Sequence, residues 1–148
     1  MSAEAHSRKE PKVALSSFEP LRIAKEIIDR EAQALSQLAG NLPEEFCEAI
    51  WAIRETAGSL FIIGIGKAGL IGQKLVATFS STGTPAHFLH PSEAVHGDLG
   101  RIRQGDTALI LSYSGETEEI TRLLTTLAAK GIPRIAITAS KTNTLAKN

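Results

Sequence analysis

The chain has a single cysteine, Cys47, so no disulfide can form within it. A lone thiol fits a reducing compartment better than a bridge-stapled secreted scaffold. An excess of charge of one sign is missing too. Sixteen Lys and Arg are matched by 16 Asp and Glu, which leaves no electrostatic footprint for nucleic acid or an anionic membrane. No apolar run approaches the roughly 18 to 20 residues of a membrane span. The opening stretch MSAEAHSRKEPKVALSS carries charges but no apolar h-region, so it reads as a disordered leader over 1–16 and not as a signal peptide. Together these absences predict a cytoplasmic protein. Repeats and low-complexity tracts are also lacking, and the size prior favours one domain over 17–148.

What is present is a regular alternation of elements. Apolar residues Leu21, Ala24, Ile27, Ile28, Ala32, Leu35 and Leu38 follow helical spacing over 17–39 and stop at Gly40. A second helix begins at Asn41-Leu-Pro43-Glu44, and its buried face is expected to be Phe46, Ala49, Ile50 and Ile53, ending at Gly58. On this reading Cys47 faces inward, and Phe46, Trp51 and Phe79 belong to the core. SLFIIGIG then reads as a strand covered on both faces. The helix after it, over 69–81, is expected to turn Leu70, Ile71, Leu75 and Phe79 inward. TPAHFLH and TALILSYS are further strands, with His87 expected in the core. A helix over 117–130 buries Ile120, Leu123, Leu124 and Leu127, and RIAITAS is a fourth strand, placed at an exposed sheet edge. Strands alternating with helices of this length predict an α/β fold with a parallel sheet.

Two turns follow the buried strands. GIGKAG, residues 64–69, satisfies the dinucleotide pattern G-x-G-x-x-G. That pattern also needs an acidic residue about 20 positions on, for the ribose hydroxyls. Here the sequence reads AHFLHPS, with no carboxylate before Glu93. A Walker A loop fits worse, with Phe61 and Ile62 where its leading glycine would fall and Ala68 where a Ser or Thr should follow the lysine. The second turn, SYSGET at 112–117, gathers Ser112, Ser114 and Thr117 before a helix whose free N–H groups already favour an anion. One hydroxyl would be a helix cap, and Ser114 with Thr117 and Glu118 can make one. Three hydroxyls and a glycine exceed what capping requires. Ligands of open α/β sheets sit beyond the carboxyl ends of the strands, so both turns point to phosphate binding.

GIGKAG, TFSSTGTPAHFLHPSEAVHGDLG and SYSGETEEI together resemble the sugar isomerase (SIS) domain, and within it the D-arabinose 5-phosphate isomerases of the Kdo branch of lipopolysaccharide synthesis. The resemblance covers residues 18–148 and implies a three-layer αβα sandwich of flavodoxin-like type. It implies that Ser112, Ser114 and Thr117 grip the sugar phosphate and that Lys67 and Glu119 are catalytic. Gly83, Thr84, His90 and His96 match substrate contacts, Gly66 joins them from the first turn, and His90 also matches a position of inhibitory zinc. No cofactor is implied, and a homo-oligomer, dimer or tetramer, is expected. Two departures stand out. Ala68 replaces a common serine, and a further catalytic glutamate and histidine, with a CBS pair in many members, lie beyond the position of Asn148. The fold is therefore expected to be truncated at its C-terminal end, and the chain to bind substrate while turning it over slowly.

Interconversion of D-arabinose 5-phosphate and D-ribulose 5-phosphate moves a proton between C2 and C1 through an enediolate, which needs a base and a donor facing the developing oxyanion. Lys67 fits the donor, against the plain alternative of a solvated loop lysine. Glu119 fits the base, against that of a carboxylate favouring the helix dipole. Glu116 and Glu118 read as solvated. The six-residue spacing of His90 and His96 is not that of a helical metal pair. A non-catalytic sugar-phosphate sensing module and a dinucleotide-binding domain are the alternatives.

Overall fold

A computed structural model describes residues 19–148; the leader expected over 1–16 lies outside the described residues. The chain divides into two compact units, the first ending at Pro43 and the second running from Glu44 to Asn148. The first holds one helix, α1 (Glu19–Gly40), on which Arg22 pairs with Glu19 and Glu26 one turn to either side. The helical period of its apolar residues is realised, but Leu21, Ile27, Ile28, Leu35 and Leu38 all stay exposed. No helix among the described residues is long and apolar enough to cross a membrane.

The second unit is built on a parallel sheet of four strands in the order β2-β1-β3-β4, where β1 is Leu60–Gly64, β2 Ala86–Leu89, β3 Thr107–Leu111 and β4 Arg134–Ile137. Every residue of β1 and β3 is buried, as continuous apolar strands between two covering layers should be. On one face, Leu75, Val76 and Phe79 of α3 (Gly66–Ser81) pack against Leu60, Ile62, Leu109 and Leu111. On the other face, Ile120, Leu123, Leu124 and Leu127 of α5 (Glu118–Ala129) pack against Phe61, Ile63, Ala108 and Ile110, joined by Ala94 of α4 (Pro91–Val95) and Leu145 of α6 (Thr144–Lys147). Helices thus lie on both faces of a parallel sheet, the α/β architecture expected from the alternation.

Four assignments change. Helix α3 begins at Gly66 and not at Gly69, and Leu70 and Ile71 are 67% and 60% exposed. The face turned to the sheet carries Gly69, Gly72, Leu75, Val76 and Phe79. A Cβ at Gly69 would stand 3.0 Å from the Gly64 carbonyl oxygen, and one at Gly72 would stand 3.1 Å from the Phe88 ring. The helical period was legible, but its phase is set by the glycines that let the helix lie flush on the strands. Helix α2 (Glu45–Arg54) buries only one edge: Ile53 reaches the core, Phe46, Ile50 and Trp51 are exposed, and Cys47 is exposed as well. Phe46 and Trp51 are therefore not core residues; Trp51 carries the Arg54 guanidinium over its ring at 5.0 Å. Phe79 is half-buried against the core. Finally, β2 is an edge strand, so His87 points outward and leans on the Phe61 ring at 5.3 Å.

The amino ends of β1 and β3 are stapled by a buried carboxylate. Asp106 accepts hydrogen bonds from the Ser59 and Arg103 backbone N–H groups, each at 2.7 Å, and a Cβ on Gly58 would stand 2.2 Å from its Oδ1. Asp106→Asn replaces one acceptor by an N–H2 facing a backbone N–H. It should cost about 1–3 kcal/mol in urea denaturation, and an unchanged midpoint would refute the staple.

Candidate functional site

The parallel register places the two turns side by side. Gly64 pairs with Leu111, so the chain leaving β1 and the chain leaving β3 emerge about 4.8 Å apart. On the other side Ile63 pairs with Leu89, which brings His90 to the same edge. Ligands of open parallel sheets bind at this carboxyl edge.

GIGKAG is a strand end and the first turn of a helix. Gly66 has a φ of +57°, which a residue with a Cβ rarely adopts, and it lets the chain leave β1 straight into α3. Gly64 and Gly69 serve close approach: a Cβ on Gly64 would lie 3.0 Å from the Ala68 carbonyl oxygen. Lys67 therefore occupies the first turn of α3 with its side chain exposed, and that turn contains no carboxylate. A cation there opposes the helix dipole, at a cost of about 0.3–1 kcal/mol. The end of α3 combines a dipole, free N–H groups and an ammonium, a combination suited to an anion. His90, where a dinucleotide fold has its ribose-binding carboxylate, is the N-cap of α4; its Nδ1 accepts from the Ser92 N–H at 3.3 Å.

In SYSGET the three hydroxyls have different surroundings. Ser112 is only 5% exposed; its Oγ accepts from the Gly115 N–H at 3.1 Å and lies 3.2 Å from Thr117 Oγ1. Ser114 is exposed, and its Oγ accepts from the Glu116 N–H at 3.2 Å. Thr117 is the N-cap residue of α5 by position but makes no side-chain cap bond. Capping therefore does not account for this cluster. Its hydroxyls are folded into a loop whose Gly115, at φ +66°, turns the chain toward α5.

The acidic residues that follow separate by role. Glu118 pairs with Arg122 one turn along the exposed face of α5. Glu119, in the first turn, has no ion-pair or hydrogen-bond partner among the described residues and is exposed. Glu116 is not simply solvated: its carboxylate accepts from Thr144 Oγ1 and from the Thr144 N–H, both at 2.7 Å. Those two bonds, the side-chain one first, hold its carboxyl below the usual carboxylate range. They favour the ionised form, so the link is complete above about pH 4 and is lost as the pH falls through the lowered value.

Gly66, Lys67, His90, Ser112, Ser114, Thr117 and Glu119 thus share the carboxyl edge. His96, the exposed C-cap residue of α4, follows His90 on that side of the sheet. Gly83 and Thr84 do not join them. They precede β2 and so lie at the amino edge, lining a pocket of about 410 Å³ with Arg54 and Phe79. No group of three His, Cys, Asp or Glu among the described residues could hold a metal. With Nδ1 engaged, His90 offers one nitrogen where zinc takes about four ligands, so these residues alone do not make a zinc site. Reading the sequence missed the support of the loop from residues 138–145, such as the Leu145 N–H donating to the Gly115 carbonyl at 3.0 Å.

Comparison with known proteins identifies the family. The SIS domain family matches residues 54–148. A Haemophilus influenzae protein named a probable arabinose 5-phosphate isomerase is 48% identical over 128 residues, covering 86% of this chain and 38% of that protein. The arabinose 5-phosphate isomerase GutQ of Escherichia coli K12 is 41% identical over 125 residues, covering 84% of this chain and 39% of its own length. The chain therefore spans well under half the length of these relatives. Among solved structures, Escherichia coli CFT073 c3406 in complex with A5P superposes with a TM-score of 0.82 at 38% identity, over 87% of this chain and 69% of that one. A family match over most of the chain, on a sheet whose carboxyl edge carries both turns, establishes that this chain belongs to the SIS domain family.

Proposed function

We propose that this chain binds a pentose 5-phosphate at the carboxyl edge of its sheet and serves the interconversion of D-arabinose 5-phosphate and D-ribulose 5-phosphate. The observation that carries this reading is the placement of SYSGET and GIGKAG on adjacent strand ends, hydroxyls on one and an ammonium on the other. The names of the relatives and the A5P held by a structural neighbour support the substrate class.

In this reading Ser112, Ser114 and Thr117, with the first N–H groups of α5, take the phosphate. Lys67 faces the sugar and donates to the oxygen that gains charge in the enediolate. Glu119, unpaired, moves the proton between C2 and C1. His90 and His96 contact the sugar hydroxyls. The chain is proposed to act in the cytoplasm as a homo-oligomer, dimer or tetramer, without a metal.

Calorimetry tests the phosphate grip. D-arabinose 5-phosphate should bind and D-arabinose should bind poorly, and Ser114→Ala should weaken the phosphorylated sugar tenfold or more, as loss of a charge-assisted hydrogen bond of about 1.5–3 kcal/mol does. Equal affinity for the two sugars would remove phosphate recognition from the proposal.

A further inference from the structure

The hydroxyl residues of SYSGET alternate with residues held from behind. The Tyr113 carbonyl accepts from Thr138 Oγ1 at 3.2 Å and from the Ala139 N–H at 3.0 Å. The Gly115 carbonyl accepts from the Leu145 N–H, and the Glu116 carboxylate accepts twice from Thr144. At the centre is Asn143, only 9% exposed. Its Nδ2 donates to Thr138 Oγ1 at 2.6 Å, the hydroxyl that donates to Tyr113, and its Oδ1 accepts from the Ala146 N–H at 2.9 Å, fixing α6. Its amide fills the space a side chain on Gly115 would need: a Cβ there would fall 2.2 Å from the Asn143 Cγ.

We propose that Asn143 is a positioning residue for the phosphate loop: through Thr138 and α6 it clasps Tyr113, Gly115 and Glu116 so that Ser112, Ser114 and Thr117 present their hydroxyls to the ligand. A buried amide with both ends hydrogen-bonded costs little to keep and much to break, and loop hydroxyls bind an anion well only when they need not be ordered at the moment of binding. A helix cap alone needs only the Oδ1 contact. The Nδ2 contact and the packing on Gly115 serve the loop.

The inference rests on the pentose-phosphate reading, and its test separates the two. In the full chain, at a temperature where all variants are folded, calorimetry with D-arabinose 5-phosphate should show Asn143→Ala binding about five- to twentyfold more weakly. Thr138→Val, nearly isosteric, should lose about threefold or more with little change in melting temperature, and it decides the matter should Asn143→Ala fail to fold. Combined with Ser114→Ala, Asn143→Ala should lose less than the product of the single losses, because both act through one loop. Losses that multiply, or wild-type affinity in both folded variants, would reduce Asn143 to a cap and overturn the proposal. If the wild-type chain binds no sugar phosphate, the functional reading fails. Amide hydrogen exchange without ligand then decides the clasp. Faster exchange at Gly115 and Glu116 in Asn143→Ala, with the α5 core unchanged, supports it, and unchanged exchange refutes it.

Discussion

Lys67→Met should lower the rate of D-arabinose 5-phosphate isomerisation about a hundredfold, the size of effect that follows loss of one oxyanion-stabilising donor, while leaving the fold intact. The side chain is exposed and sits in the first turn of α3, so its removal takes nothing from the core and relieves a clash of sign with the helix dipole. Stability should hold steady or rise by a few tenths of a kcal/mol. On the proposed function, the negative charge that Lys67 meets in the filled site offsets this unfavourable placement. The measurement is NMR of the sugar in deuterated water, following deuterium at C1 and C2 for the wild-type chain and the variant. Equal rates would remove Lys67 from the chemistry. Binding without any exchange in the wild-type chain would favour a sensing module over an isomerase.

Gly115→Ala should be the most damaging single methyl at the site. Two costs coincide. A left-handed backbone costs an L residue about 1–2 kcal/mol, and φ here is +66°. The new Cβ also falls on the Asn143 amide, which cannot withdraw without breaking its bonds to Thr138 and Ala146, each worth about 1 kcal/mol. The sum, about 3–4 kcal/mol, exceeds what a surface loop can absorb without changing conformation. Affinity for D-arabinose 5-phosphate should fall well over tenfold, with a lower urea midpoint. A variant that binds and melts like the wild type would show that the loop does not depend on this turn.

The parts of the fold legible in the sequence are those where one local pattern has one outcome. The apolar runs of β1 and β3 lie in the middle of the sheet, and the stripe Ile120, Leu123, Leu124, Leu127 is buried as its spacing predicts. Spacing says that a face is apolar, not that this chain covers it, and so the stripes of α1 and α2 remain largely exposed. In α3 the period was right, but the contact face follows Gly69 and Gly72, which hydrophobicity ranks below Leu70 and Ile71. His87 depended on β2 being an edge strand, a fact of strand order that no local window contains. The same division holds at the site. Its two turns are contiguous motifs and could be read directly. Asn143 reaches Gly115 across 28 residues, and Gly83 and Thr84 fall at the far edge because strand direction, not sequence distance, decides which loops meet.

Strand order also grades how readily each wall of the site comes apart. Ser112 follows β3, which is paired on both sides and fully buried, whereas Thr138 and Asn143 follow β4, paired on one side and half-exposed. Local opening costs least where buried contacts are few. Of these two strands β4 should open first, so the SYSGET loop is fastened to the slower-opening one by its front and to the faster-opening one by its back. Amide hydrogen exchange should accordingly run faster at Ile135 and Ala136 of β4 than at Leu109 and Ile110 of β3.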